Sequence, residues 1–450
     1  MMQPLPYQRE AIDWLIRERR GLLAFDPGLG KTFTALTAVH EMECKAVLVV
    51  APASVCSVWK DEMGRTYGHR LTLARGKAAE RVDAYSRAHA QADGVPHYVV
   101  ISYEAARTDA AILRRVEWDA IILDETLKIQ NPTAKVTKAI ISLEAPVRIA
   151  LNGTPLSNGY ADLWGVCTWL EPESLYGNFY RFRRIHAVMN PYYPAIQGWR
   201  DVDEIRRRTR PLMAVRKKTE ELPGLPSITE QAITFPLFPA EAALYKRTKK
   251  ELRLAIKGED IPIPNALALL MRLRQVAGGV LPPEEGGADG GARGSKMEAL
   301  RELLSQIPPG EKCVIFSAFK ATVDAVLGMF PDDAAAITGD VPTETRDEIV
   351  RRFQEEGSPR FLVGTDAMSV GLNLQRASYL INVDLPWSYA RYDQRRSRCW
   401  RMGQAKPVTV WNLEAEGTVD ARVRAVLERK VADADEFAGV TREDIEKALT

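Results

Sequence analysis

Short apolar runs alternate along this chain with stretches whose hydrophobic residues recur every three or four positions. GLLAF leads through a glycine turn into TFTALTAVHEM and then AVLVVAP; YVVISYE, WDAIILDE and VRIALNGTP follow. Brief β-branched and aliphatic runs bounded by turn residues predict buried strands, and the periodic stretches between them predict helices. Such alternation predicts a doubly wound α/β sheet. It lapses over residues 160–280, which read as mostly helical, and resumes after Lys312 with KCVIFSAF, AAAITGD, FLVGTD, YLINVD and VTVWNL. The expected architecture is α/β, with two parallel-sheet lobes in tandem and helical protrusions between them. The first lobe is assigned to residues 1–235, with a basic, helical protrusion over 160–230. The second is assigned to residues 236–450, with a helical segment at 236–281 and a flexible glycine-rich stretch at 282–295.

At 450 residues the chain exceeds what one hydrophobic core usually organises, which agrees with two lobes. No apolar run reaches the roughly 20 residues of a membrane helix, and the start, MMQPLPYQREAIDWL, lacks the pattern of a signal peptide. Five scattered cysteines without a CxxC pair argue against a disulfide framework or a structural zinc site and fit a reducing cytoplasm. The net charge of +2 does not by itself indicate nucleic acid. Its distribution is more informative: from Arg181 to Lys218 there are eleven Lys/Arg against three acids, interleaved with Tyr192, Tyr193 and Trp199. A local patch of this kind fits a phosphate-backbone footprint and fits a solvated helical face equally well.

Two short segments carry candidate chemistry. AFDPGLGKT (24–32) lies between a predicted strand and a predicted helix, as a phosphate-binding loop requires. Gly28 and Gly30 let backbone N–H groups close on phosphate oxygens, Lys31 is suited to the β/γ-phosphates, and the Thr32 hydroxyl suits magnesium. The strict loop pattern would begin with a glycine where this chain has Phe25. Later, IILDETLKIQNP ends a strand on adjacent carboxylates, Asp124 and Glu125. Buried unpaired carboxylates are costly, so the pair must meet water, a cation or a metal. Asp124 is expected to hold the magnesium of a bound ATP with Thr32, and Glu125 to orient and deprotonate the attacking water. The second lobe has no such loop. Its YARYDQRRSRCWRMGQ (389–404) would place Gln394, Arg398 and Arg401 on one helical face, suited to bidentate capture of phosphate oxygens. The expected device is one lobe that holds ATP and one that donates arginine, with hydrolysis converted into relative motion.

These segments, in this order, resemble the Swi/Snf-type double-stranded DNA translocases of helicase superfamily two across nearly the whole chain. LPYQREAIDWL resembles the family's glutamine motif, DPGLGKT its motif I, VLVVAPASVCSVWKDE its motif Ia and ISYE its motif Ib. DETLKIQNP resembles motif II, NGTPLSN motif III, CVIFSAF motif IV, TDAMSVGLNL motif V and DLPWSYARYDQRRSRCWRMGQAKPV the stretch ending in motif VI. The resemblance implies RecA-like lobes and the cofactors ATP and Mg2+. It makes Gln8 an adenine reader, sets Gly371 against the nucleotide, and supports Lys31, Thr32, Asp124, Glu125, Arg398 and Arg401 as hydrolytic or phosphate-binding residues. DNA-backbone contacts are implied at Ser54, Ser102, Tyr103, Ser317 and Thr365. Trp387 is either a brace for a DNA strand or a core tryptophan. The chain departs from the family pattern at Pro27, Leu127, Gln130, Ser397 and Trp400. Leu127, Ser397 and Trp400 remove polar groups that would join motif II to motifs III and VI, which bears on coupling more than on hydrolysis.

The resulting expectation is a DNA-dependent ATPase that steps along duplex DNA by its backbone, with little strand separation because no wedge is evident. A strand-separating DNA or RNA helicase and a nucleotide-gated DNA-binding module are the alternatives. The partner is expected to be double-stranded DNA, with branched DNA or DNA-bound proteins left open and no membrane. The protein is expected to be monomeric, in the cytoplasm of a bacterial or phage-infected cell.

Overall fold

The apolar runs become the strands of two parallel sheets in a computed structural model of the chain, which describes residues 3–53, 55–67, 70–89, 95–156, 159–189, 196–257, 271–278, 294–369 and 371–432. The first sheet contains β1 (Arg20–Phe25), β2 (Ala46–Ala51), β3 (Arg70–Leu73), β4 (His97–Ser102), β5 (Ala120–Asp124), β6 (Val147–Leu151) and β9 (Met213–Arg216), in the order β3-β4-β2-β5-β6-β1-β9. Every pairing in it is parallel. Helices cover both faces, so β2 and β5 are buried at every residue; this is why they read as unbroken apolar runs rather than as alternating ones. The register sets Ala51 beside Ser102 and Asp124 beside Leu151, which brings four strand ends level at one edge.

The helices that matter for this edge are α1 (Pro6–Glu18), α2 (Lys31–Glu41), α3 (Cys56–Thr66), α4 (Ala78–Ser86) and α5 (Tyr103–Leu113). α2, α3 and α5 follow β1, β2 and β4 directly or after a short turn, as a parallel sheet requires.

The second sheet contains β10 (Ile228–Phe235), β11 (Cys313–Phe316), β12 (Ala334–Ile337), β13 (Phe361–Gly364), β14 (Tyr379–Asn382) and β15 (Val408–Ala415), in the order β10-β15-β14-β11-β13-β12 and parallel throughout. Its core gathers Leu300, Ile315, Val363, Ile381 and Leu413.

Three sequence expectations change. The two units divide between Pro223 and Gly224, not at residue 235. β10 pairs along its length with β15 and so belongs to the second unit; its mostly polar sequence, ITEQAITF, hid an exposed edge strand. The region 160–230 is neither strand-free nor wholly protruding. The antiparallel pair β7 (Ala187–Met189) and β8 (Ile196–Trp199) lies within it, and β9 completes the first sheet beside β1. The helix Ala161–Leu170 is buried at all but its first residue, and Trp164, Trp169, Phe182 and Ile205 join the core of the first unit. The glycine-rich segment lies, through residue 293, outside the described residues, as do most of 236–281 after residue 257 and Tyr192 and Tyr193.

Candidate nucleotide site and its surroundings

Parallel sheets bind ligands at the carboxyl ends of their strands, where the following loops diverge. The loop after β1 has the local structure that its glycines demand: Gly28 and Gly30 sit at φ +95° and +75°, in the region open to residues without a side chain. It is braced from both ends of the unit's sequence. The Asp26 N–H donates to the Arg216 carbonyl (3.0 Å), and the Asp26 carboxylate accepts from the Lys218 N–H (2.8 Å). From α1, Tyr7 Oη and Gln8 Nε2 both donate to the Leu29 carbonyl, at 3.0 and 3.1 Å.

Gln8, expected to read adenine, therefore acts as a strut in this structure. It is 4% exposed, its amide oxygen accepts the Leu5 N–H (2.9 Å), and a side chain added at Gly30 would collide with its amide. α2 starts at Lys31, whose ammonium donates to the Phe25 carbonyl at 2.8 Å, and Thr32 follows half-buried on the first turn.

Asp124 and Glu125 end β5 at the same edge. Asp124 is buried, and its Oδ2 accepts the indole N–H of Trp59 on α3 at 2.8 Å. Burial, and next the neighbouring Glu125, push its carboxyl up to about 6; Trp59 and the Lys31 ammonium pull the other way. Glu125 sits at φ +51°, a left-handed conformation unusual for a residue with a side chain. Backbone strain of this kind concentrates at functional sites. One residue further, the Thr126 hydroxyl accepts from Asn152 Nδ2 (3.0 Å), and Asn152 follows β6 with its own N–H on the Leu23 carbonyl (3.1 Å). The polar link between the DET and NGT segments thus runs through Thr126, one position before Leu127. Leu127 itself is half-buried.

The residues expected at DNA are placed unevenly. Ser54 lies outside the described residues. Ser102 caps α5 by accepting the Ala105 N–H (3.1 Å). Tyr103 is 1% exposed and donates to the Asp124 carbonyl at 2.8 Å, so in this conformation it is a core residue and no backbone contact. The basic stretch is partly consumed within the unit. Arg207 and Arg208 pair with Glu204, the Arg208 guanidinium lies 4.4 Å above the Tyr176 ring, and Arg200 donates to the carbonyls of Arg184 and Ile185.

In the second unit the helix Tyr389–Cys399 ends at Cys399, and the chain turns through Trp400 to Gly403 at φ +90°. Arg401 is therefore beyond the helix and does not continue the face of Gln394 and Arg398. Arg398 is buried and donates to the carbonyls of Gln394 and Leu372, both at 3.1 Å. Gly371 lies one residue before Leu372, at φ +77°. Trp400 donates to the Pro226 carbonyl at 2.8 Å. Ser317, fully buried, donates to Asp384 at 2.6 Å and is likewise no surface contact. Thr365 is half-buried. Trp387, also half-buried, lies 5.6 Å beneath the Arg274 guanidinium.

Sequence reasoning missed one structural residue here. Arg395 is 0% exposed and donates to Asp366 through Nε (2.9 Å) and Nη2 (2.6 Å), to Asn382 (3.0 Å) and to the Asp384 carbonyl (2.7 Å). Burial opposes ionisation of Asp366, but the Arg395 and Arg391 guanidiniums outweigh it and hold the carboxyl below its usual range. The signal was available: Tyr392, Arg395 and Cys399 share one helical stripe, and the outer two are residues that favour the interior.

Among the described residues no cluster of three or more His, Cys, Asp or Glu side chains is placed to hold a metal, and no helix is long and apolar enough to cross a membrane. Residues 7–278 match the SNF2-related domain, and residues 295–403 match the helicase conserved C-terminal domain. The chain is 28% identical to YwqA of Bacillus subtilis, named as a candidate ATP-dependent helicase/translocase, over 94% of this chain and 48% of that protein. It is 24% identical to the human DNA repair and recombination protein RAD54B, over 93% of this chain and 53% of the relative. The chain thus spans about half the length of these curated relatives. Among solved structures it is similar to the Sulfolobus solfataricus SWI2/SNF2 ATPase core in complex with dsDNA, at 26% identity and TM-score 0.45, covering 99% of this chain and 97% of that one.

Proposed function

The chain belongs to the SNF2-related family, and from that premise we propose that it is a DNA-dependent ATPase that uses hydrolysis to move along duplex DNA without separating its strands. The observation that carries the nucleotide half of this reading is the shared strand-end edge. A glycine loop at positive φ opens α2 with Lys31 and Thr32, and a strand of the same sheet ends on Asp124 and Glu125. Phosphate is suited to the loop's N–H groups and to the N-terminus of α2.

The donor set fits magnesium. Asp124 is a desolvated carboxylate whose ionisation the charge of neighbouring Glu125 further opposes, a setting that favours a cation, and Thr32 adds a hydroxyl. Magnesium needs little more from protein, because phosphate oxygens and water complete its shell. When bound, it supplies charge neutralisation at the β/γ-phosphate oxygens. The chain's own residues do the rest. Lys31 exchanges the Phe25 carbonyl for phosphate oxygen, and Glu125 orients the attacking water and accepts its proton. Arg398 and Arg401 are the arginines assigned to phosphate from the second unit; for Arg398 this means giving up two carbonyl partners.

Support for the DNA half is the family itself and the names of its relatives. Ser102 and Thr365 remain the proposed backbone contacts, together with exposed arginines of the basic stretch such as Arg184. The test is the ATPase rate without nucleic acid and with duplex DNA, single-stranded DNA and RNA, alongside Glu125→Gln. Stimulation by duplex alone supports the proposal. Preference for single strands or RNA indicates a strand-separating helicase, and no turnover with any polymer indicates a nucleotide-gated binder. Displacement of a third strand from a triplex then tests movement directly.

A further inference from the structure

Two buried aromatic side chains converge on Asp124 from helices that carry none of the assigned hydrolytic residues. Trp59, 1% exposed on the second turn of α3, donates its indole N–H to Oδ2 at 2.8 Å. Tyr103, 1% exposed at the first position of α5, donates its hydroxyl to the main-chain carbonyl of the same residue at 2.8 Å. One bond holds the side chain and the other holds the backbone, immediately before the left-handed turn at Glu125.

We infer that Trp59 and Tyr103 are positioning residues that fix the Asp124 carboxylate for the metal–nucleotide complex and tie it to α3 and α5. Where other buried indoles of this unit donate, a backbone carbonyl suffices: Trp118 donates to the Leu113 carbonyl and Trp169 to that of Leu143. Trp59 instead spends its only donor on a carboxylate that is already crowded by Glu125. A hydrogen bond to an ionised acceptor is shorter and stronger than one to a carbonyl, and it fixes the plane of the carboxylate. The sheet order explains how the two reach their target. β2 neighbours β5, so the helix after β2 needs only to lean one strand across, and Tyr103, starting at the end of β4, spans β2 to meet the same residue. Second-layer bonds that orient a ligating carboxylate are worth on the order of tenfold in metal affinity. The arrangement also means that α3 and α5 cannot shift without moving Asp124.

The inference rests on the proposed function only in taking Asp124 as a metal-binding carboxylate, and its test contains no DNA. Mn2+ binding is titrated by electron paramagnetic resonance in the presence of ADP, for the full chain and for Trp59→Phe, Tyr103→Phe, Asp124→Asn and Trp169→Phe. The expected result is a dissociation constant about tenfold higher in Trp59→Phe and raised to a smaller extent in Tyr103→Phe, with metal-free ADP affinity unchanged. Tenfold is about 1.4 kcal/mol, within reach of a single charge-assisted bond. Trp169→Phe also removes a buried N–H donor but lies away from the site, and is expected to lower the melting temperature without touching Mn2+ affinity. If Trp59→Phe matches the unmodified chain while Asp124→Asn is impaired, the positioning role is overturned and the metal assignment stands. If Asp124→Asn binds Mn2+ normally, the metal assignment fails. Parallel loss of Mn2+ affinity in Trp59→Phe and Trp169→Phe would also overturn the inference, because it would reduce Trp59 to general packing.

Discussion

Replacing Asp124 with asparagine should make the protein more stable while disabling it. In the folded chain the carboxyl is held up to about 6, against 3.8 for an unperturbed aspartate, with burial as the largest cause and Glu125 next. The sign follows from proton binding. Between those two values the folded state holds more protons at this site than the unfolded state, so its stability falls as pH rises from about 4 to 6. At about 1.4 kcal/mol per pH decade the penalty amounts to roughly 3 kcal/mol once both states are ionised, as they are at pH 7.5. Asparagine preserves the shape and keeps an acceptor for the Trp59 N–H, yet carries no charge. For a unit of 150–250 residues each kcal/mol is worth about 2–4 °C in melting temperature. Asp124→Asn is thus expected to melt roughly 6–12 °C higher at pH 7.5, and to show little difference at pH 4. Melting curves of the two proteins without nucleotide, taken across that range, measure this directly. An Asp124→Asn protein that is less stable by the same margin at both pH values would refute the reasoning, since the carboxylate would then not be a site of stored repulsion.

Other consequences are open to equally direct measurement. Glu125→Gln is expected to lower ATP turnover by about two to four orders of magnitude, with nucleotide affinity retained in a fluorescent-nucleotide titration. Arg395→Ala leaves Asp366 to Arg391 alone and takes a buried donor from Asn382 and the Asp384 carbonyl; it should cost about 1–3 kcal/mol in denaturant unfolding of the second unit. Gly165→Ala places a methyl group 2.1 Å from the Ile129 carbonyl oxygen; about 1–3 kcal/mol of overpacking is expected, and because Ile129 closes the short turn that starts at Thr126, ATP turnover should fall with it. Leu127→His is expected to change duplex stimulation of the ATPase more than the basal rate; an equal change in both would show that Leu127 only fills space.

The strands that a reader of the sequence finds most easily are those that both faces of a sheet bury. AVLVVA and AIILD admit few other readings, and the glycine loop and the acidic pair announce themselves because their residue types are costly anywhere else. The missed strands share the opposite character. β9 is four residues of an edge, MAVR, and β10 is largely exposed; their places come from hydrogen-bonded partners some 190 and 180 residues away, which no local pattern encodes. The side chains tell the same story. Glutamine in a motif does not disclose whether its amide faces a base or a carbonyl, and Tyr103 looks like a surface residue until β5 is set beside β2. Arg401 was placed by extending a helix that in fact stops at Cys399, because a glycine two residues after Arg401 turns the chain.

The clasp on the phosphate loop has a temporal side as well. β1 is among the first strands to be made, but the Asp26 contacts come from Arg216 and Lys218, and β9 supplies the neighbour on that flank of β1. At about 5–20 residues per second on the ribosome, the strand that leads into the nucleotide loop waits roughly ten seconds or more with one side unpaired. A nascent chain in that interval presents an open strand edge whose segment awaiting β9, Leu22 to Phe25, is wholly apolar. The last strand of the first sheet is therefore also its seal, and the loop after β1 gains its two Asp26 contacts only when that seal closes.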